Sequence, residues 1–253
     1  MRTYEITFSP TGGTQWIADV IMQELPGEKF TVSLLKSTTD YAAYEFCERD
    51  VCLFAVPSFG GRVPAIAAER IARMKGNHAR AILVCAYGNR AYEDTLLELK
   101  NVVKEAGFVP VAAAALIAEH SIMRQFAMGR PDKKDTDEIK RFTQILCEKI
   151  NSGENLPEVN VPGNQPYKAN GTIPFIPETD DTCAGCGFCA KECPVGAIDA
   201  KAPEKTDAGK CISCMRCISI CPQNARRIRK ELLDEVSKKM EKAFAVRKNN
   251  EFF

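Results

Sequence analysis

The chain is short of net charge. Its 34 Lys and Arg offset 33 Asp and Glu, leaving a formal +1 over 253 residues. Nucleic acid and anionic membrane surfaces are recognised through a net basic face, so neither is expected as the main partner. Long apolar runs are also lacking. The longest, residues 109–118, contains Pro110 and falls well short of a membrane span. The first residues, Met1-Arg2-Thr3-Tyr4-Glu5-Ile6, lack the apolar core of an export signal. A secreted disulfide scaffold would need that signal and would spread its cysteines. A cytoplasmic location is therefore expected. What the chain does have is 45% hydrophobic and 26% charged residues, a globular composition, and length enough for two domains.

It also has 12 cysteines, unevenly placed. Eight lie between Cys183 and Cys221, while Cys47, Cys52, Cys85 and Cys147 are scattered earlier. Clustering of this kind in a reducing compartment points to metal ligands. The scattered four read as packing residues, since free cysteine in a strand behaves as a small buried hydrophobe.

Residues 1–150 alternate between short apolar runs and helical patterns. The runs are 4–8, 30–35, 51–56, 81–87 and 109–118; the helical patterns are 14–25, 64–74, 92–106 and 132–150. Alternation of this kind predicts βαβ units and a parallel sheet covered on both faces. Residues 151–177 hold Pro157, Pro162, Pro166, Pro174 and Pro177 without periodicity. They read as an extended linker lying along one domain, with the apolar patch 173–176 as a docked strand. A cysteine-rich domain is expected at 178–225. After it, Ile228, Leu232, Val236, Met240 and Phe244 recur every fourth residue, which predicts a basic amphipathic helix and tail over 226–253.

The cysteine region is an internal repeat. Cys183, Cys186, Cys189, Cys193 and Pro194 recur as Cys211, Cys214, Cys217, Cys221 and Pro222, each displaced by 28 residues. Three cysteines at intervals of three make a tight loop whose thiolates can converge on one iron–sulfur cube, and the fourth, before proline, points away. Structural zinc prefers separated C-x-x-C pairs, and a thioredoxin-type C-x-x-C would be single. The stretch 182–225 resembles bacterial two-cluster ferredoxins, in which the fourth cysteine ligates the other cluster. The resemblance implies Cys183, Cys186, Cys189 and Cys221 on one 4Fe–4S cluster, with Cys211, Cys214, Cys217 and Cys193 on the second. Gly185, Gly187 and Gly196 suit backbone N–H groups close to cluster sulfur, and Ala197 and Ile198 would cover the first cluster. Arg226 and Arg227 have two readings: a charged shell that raises a cluster potential, or exposed surface residues.

The first apolar run ends in Phe8-Ser9-Pro10-Thr11-Gly12-Gly13-Thr14 and enters a helix. Hydroxyls and glycines at a helix N-terminus form an anion site. The P-loop lysine is missing, which disfavours ATP or GTP, and so is the G-x-G-x-x-G spacing of NAD folds. A monophosphate held by neutral donors remains. The loop resembles the flavodoxin phosphate loop, which implies FMN bound through Ser9, Thr11, Gly12, Gly13 and Thr14. Pro10 departs from common versions and cannot donate an N–H. Two further loops follow the third and fourth runs: Pro57-Ser58-Phe59-Gly60-Gly61 and Tyr87-Gly88-Asn89-Arg90-Ala91-Tyr92. The resemblance implies a flavodoxin-like, doubly wound, five-stranded parallel sheet of order 2-1-3-4-5, whose switch point brings these loops to the flavin ring. Phe59, Tyr87 or Tyr92 would flank it. His120 reads either as a group over the flavin or as a structural histidine. Trp16 is expected to pack beside the phosphate loop, and His78 to be exposed.

Taken whole, the chain resembles flavodoxin–ferredoxin fusion proteins of anaerobic bacteria and archaea. That implies an α/β FMN domain (1–150), a linker (151–177) and a small α+β domain with two 4Fe–4S clusters (178–225). The implied function is electron transfer, with redox proteins as donor and acceptor. Two other readings stay open. One is a ferredoxin-fed FMN reductase of a small molecule, for which only His120, Arg62, Arg90 and Arg124 offer polar groups. The other is a component of a larger redox complex docked through its terminal helix, although a helix packed on its own domain is the favoured view. Whether FMN faces a cluster of the same chain or of a homodimer partner is left open.

Overall fold

The structure is a computed structural model that describes residues 1–152, 156–169, 171 and 175–253. Its elements in chain order are β1 (Arg2–Thr7), α1 (Gly13–Glu24), β2 (Glu28–Ser33), β3 (Val51–Pro57), α2 (Ala65–Ala72), β4 (Arg80–Tyr87), α3 (Thr95–Glu105), β5 (Val109–Ile117) and α4 (Lys133–Asn151). The cysteine region and tail follow, with β6 (Glu178–Thr179), α5 (Phe188–Lys191), α6 (Arg216–Ser219), β7 (Arg226–Arg227), α7 (Lys230–Phe244) and β8 (Glu251–Phe252).

β1 to β5 form a parallel sheet in the order β2-β1-β3-β4-β5, the flavodoxin-like doubly wound arrangement. The central strands are apolar at nearly every position because both faces are covered. Cys52, Phe54 and Val56 of β3 join Leu83 and Cys85 of β4 on one face, under α2 and α3. The alternate residues Val51, Leu53 and Ala55 join Ile82 and Val84 on the other, under α1 and α4. The α4 N-terminus is closed by a capping box: Asp132 accepts the Asp135 N–H at 3.1 Å, and Asp135 accepts the Asp132 N–H at 2.9 Å. Such a box satisfies two donors that the helix cannot.

The sheet has a sixth strand. β8 pairs antiparallel with β5, Ala114 opposite Phe252 and Ala115 opposite Glu251. It covers the edge that β5 would otherwise expose, and unpaired edges template association. Two residues are too few for any alternation to be read from the chain.

The 28-residue repeat recurs in three dimensions. α5 and α6 are one-turn helices at equivalent positions. Gly185, Gly187 and Gly196 take positive φ angles of 65°, 70° and 64°, and their repeats Ser213, Met215 and Asn224 take 51°, 61° and 51°. Three left-handed positions thus survive the loss of glycine in the second half, at a cost of about 1–2 kcal/mol per ordinary residue.

The terminal helix begins at Lys230, not Arg226, because Arg226 and Arg227 are strand β7, paired with Thr179 and Glu178. Arg226 is buried and Arg227 exposed, so the exposed-surface reading holds for Arg227 and not for Arg226. Ile173 and Pro174 of the apolar patch lie outside the described residues. Phe175 is buried, and with Met215 and Ile228 it makes a small core onto which Leu232, Leu233 and Val236 of α7 pack. Trp16 is 42% exposed rather than packed against the loop. Cys47 is exposed, so it is no core residue, while Cys52 and Cys85 are fully buried.

Candidate functional site

The C-terminal ends of β1, β3, β4 and β5 open onto a cavity of about 390 Å³. Cofactor and small-molecule sites span roughly 300–1,000 Å³. Its floor comes from four loops, because the chain leaves β1 and β3 in opposite directions and a crevice opens between their ends. Thr11, Gly13 and Thr14 line it from the first loop, Pro57, Ser58, Phe59, Gly60 and Gly61 from the second, and Tyr87 and Gly88 from the third. Residues 119–123, after β5, complete the floor.

Four of the expected residues do not line this cavity, and each has another task. The Ser9 hydroxyl accepts the Gln15 N–H at 2.8 Å, satisfying one orphan donor of α1. Gly12 is exposed and stands in a left-handed conformation as the N-cap of α1. The Asn89 side chain is taken up by the tail, donating to the Phe244 and Val246 carbonyls and accepting from the Lys248 N–H. The Tyr92 hydroxyl donates to Glu251 at 2.8 Å.

The roof could not be anticipated from the loops. Val236, Met240 and Phe244 of α7, Phe175 of the linker, and Ser213 and Cys214 of the cysteine region close the cavity. The four-residue spacing of α7 marked an apolar stripe but not what it covers. Phe244 stacks on Phe126 with ring centroids 4.3 Å apart and meets His120 edge-on at 5.3 Å.

Of the four polar groups weighed for chemistry, His120 and Arg90 line the cavity. Arg62 instead makes a bidentate pair with Glu98 at 2.8 and 2.7 Å and lies over the Tyr167 ring, and Arg124 pairs with Glu119 outside. His120 Nδ1 accepts the N–H groups of Ile122 and Met123 at 3.2 and 3.1 Å. The neutral ring therefore carries its proton on Nε2. Burial, with the Arg90 charge second, pulls its pKa down to about 4. Gly88 makes room for this ring: a Cβ there would stand 2.6 Å from His120 Cδ2. The buried Tyr87 hydroxyl has no hydrogen-bond partner among the described residues, and burial raises its pKa.

Two smaller cavities lie within the cysteine region. Cys183, Cys186, Cys189 and Cys221 line one, together with Arg226. Cys193, Cys211, Cys214 and Cys217 line the other, together with Arg216. None of the eight forms a disulfide. The Ala197 and Ala225 N–H groups, one repeat apart, donate to Cys193 and Cys221 Sγ at 3.3 Å each. Burial pushes the Cys214 thiol up to about 12 and the Cys217 thiol up to about 11, while the Arg226 guanidinium draws Cys217 back down. Among the described residues no three His, Cys, Asp or Glu side chains gather closely enough for a single metal ion. Thiols set around a space suit a four-iron cluster, in which each iron takes one thiolate.

Cys214 also lines the large cavity, so it forms a wall common to both spaces. Direct contacts hold the two regions together. The Pro10 carbonyl in the first loop accepts from Arg216 at 3.4 Å and Ser219 at 3.2 Å. The buried Arg70 of α2 donates to the Leu34 and Pro194 carbonyls.

Residues 176–237 match the family model of the 4Fe-4S dicluster domain. Over 48 residues the chain is 46% identical to a component of the ion-translocating oxidoreductase complex of Methanosarcina acetivorans, covering 19% of this chain and 18% of that protein. It is 37% identical over 46 residues to an uncharacterized protein of Methanocaldococcus jannaschii, covering 18% of each. The chain thus spans under a fifth of the length of the curated relatives it matches. Among solved structures, a Streptococcus pneumonia TIGR4 flavodoxin superposes with a TM-score of 0.44 and 16% identity, covering 59% of this chain and 99% of that one. The chain therefore joins a flavodoxin-like α/β fold to a 4Fe–4S dicluster module, an architecture of electron-transfer proteins. No helix among the described residues is long and apolar enough to cross a membrane.

Proposed function

We propose that the chain is a cytoplasmic electron carrier that moves electrons between two 4Fe–4S clusters and one FMN, with other redox proteins as donor and acceptor. The observation that carries this reading is Cys214, which lines both the large cavity and the cavity of a four-cysteine set. Clusters pass single electrons and FMN takes one or two, so the bound pair would link one- and two-electron chemistry.

The residues present fit both groups. For FMN, the N-terminus of α1 offers its free N–H groups and dipole to a phosphate, with Thr11, Gly13 and Thr14 on the wall. Phe59 and Tyr87 supply aromatic surface, and the unpartnered Tyr87 hydroxyl has a hydrogen bond to give. Val236, Met240 and Phe244 of α7 exclude water from the opposite side. For the clusters, two half-buried N–H to Sγ bonds support thiolates, and Cys193 and Cys221 each stand with three cysteines of the other half. Cavity and cysteine set belong to one chain, so no homodimer is needed to bring them together.

A second reading, a reductase of a small molecule, is supported by His120 and Arg90 on the cavity wall. The inner face of α7 is occupied by its own chain, which favours a carrier over a component of a larger complex docked through that face.

Protein purified without oxygen should carry flavin and about eight irons per chain. After reduction, it should be reoxidised rapidly by redox proteins without turning over small molecules. Zinc in place of iron, or no flavin after reconstitution, would refute the proposal. Steady small-molecule turnover would favour the reductase.

A further inference from the structure

Arg226 lines the cavity of Cys183, Cys186, Cys189 and Cys221, and it is only 3% exposed. Its Nη1 donates to the Pro203 carbonyl at 2.6 Å and to Cys189 Sγ at 3.6 Å, and its Nη2 donates to the Thr206 hydroxyl. Its Nε is buried with no partner among the described residues. Cys189 shares one small buried cluster with Ile198 and with Cys217, a member of the other four-cysteine set. The guanidinium therefore sits where the two cysteine sets meet.

None of these contacts is a carboxylate. The neighbouring arginines differ: Arg216 pairs with Glu192 at 2.8 Å and Arg227 with Asp180 at 2.7 Å. A buried guanidinium without a countercharge is strongly unfavourable. Here the available negative charge is that of the cysteine thiolates and what they bind.

We propose that Arg226 is the shared counter-ion of the two clusters, donating to Cys189 of one and standing beside Cys217 of the other. This rests on the reading of the eight cysteines as two 4Fe–4S sites. Reduction adds one electron and one negative charge to a cluster, with no bond made or broken. A fixed positive charge between the clusters stabilises an electron added to either. Arg226 thus raises both reduction potentials.

The test is a dithionite titration of the anaerobically purified holoprotein, followed by electron paramagnetic resonance, with iron counted in every sample. Arg226→Gln should keep its iron yet lower both midpoints by at least tenfold in the one-electron equilibrium, about 59 mV each. Arg226→Lys retains the charge and should shift them less. Thr206→Val removes a group that orients the guanidinium, and should shift them slightly in the same direction. Wild-type protein without iron would remove the cluster reading itself. Full iron with unchanged midpoints in Arg226→Gln, or equal shifts in the Lys and Gln variants, would overturn the role of Arg226 alone. Should Arg226→Gln fail to load, unchanged midpoints in Arg226→Lys and Thr206→Val would overturn it equally.

Discussion

Asn89 ties the tail to the loop after β4, and its removal can be given a size. The side chain makes three hydrogen bonds: a buried one to the Phe244 carbonyl at 3.0 Å and two half-buried ones, to the Val246 carbonyl and from the Lys248 N–H, at 2.9 Å each. A net value of about 1 kcal/mol for the buried bond and about half that for each of the others gives about 2 kcal/mol. The backbone at Asn89 is left-handed, φ 67°, which costs alanine about 1 kcal/mol more than asparagine. Asn89→Gly should therefore lose about 2 kcal/mol and Asn89→Ala about 3 kcal/mol, the difference being conformational alone. Urea denaturation of the two variants measures both terms. Hydrogen exchange locates them: the Phe253 N–H, bonded to the Ala113 carbonyl at 2.8 Å, should exchange faster in each variant. Stability within about 0.5 kcal/mol of wild type, with that amide still protected, would refute the view that Asn89 holds the tail.

Two other perturbations address the cavity wall, and a third an ion pair beyond it. Gly88→Ala forces a Cβ into His120. It should cost about 1–3 kcal/mol and, under the proposed function, weaken FMN uptake, read by quenching of flavin fluorescence. His120 binds its proton near pH 6.5 when unfolded but only near pH 4 when folded. Between those values the unfolded chain holds more protons, so stability falls as pH drops through the window, by up to about 3 kcal/mol at about 1.4 kcal/mol per unit. His120→Asn should flatten that part of a melting-temperature profile, and an unchanged slope would argue against a buried neutral ring. Glu98→Ala strips Arg62 of its bidentate partner and leaves the Val63 N–H without its acceptor. A loss of about 3–5 kcal/mol is expected by denaturation, whereas Arg62→Met should cost less.

The parallel sheet was legible because its strands are apolar on both faces and its helices on one. The periods of Cys52-Leu53-Phe54-Ala55-Val56 and of α7 each report the local surroundings. The grouping of cysteines was legible because a 28-residue displacement recurs, and recurrence is visible without coordinates. What escaped notice depends on contacts between distant segments. β8 is two residues long, with no pattern to detect. Asn89 and Tyr92 belong to a loop of the expected kind, but their side chains answer to a tail about 160 residues away. The left-handed turns at Ser213, Met215 and Asn224 were hidden because the first half marks the same turns with glycine and the second does not. Arg226 and Arg227 are identical letters side by side in a strand, and only the alternation of that strand sends one inward.

Residues 156–169 bear on how the two regions move. The Asn164 and Lys168 N–H groups donate to Asp94 at the head of α3, Glu158 pairs with Lys100 and Lys104 of that helix, and the Tyr167 hydroxyl accepts from Asn101. With Arg70 on the Pro194 carbonyl and Arg216 on the Pro10 carbonyl, the cysteine region is moored at both its approach and its contact face. Under the proposed function, electron exchange across the Cys214 wall would then occur at a standing separation, without waiting for a diffusing arm to swing into place. Its rate should not change with solvent viscosity, whereas exchange with an outside partner should slow as viscosity rises.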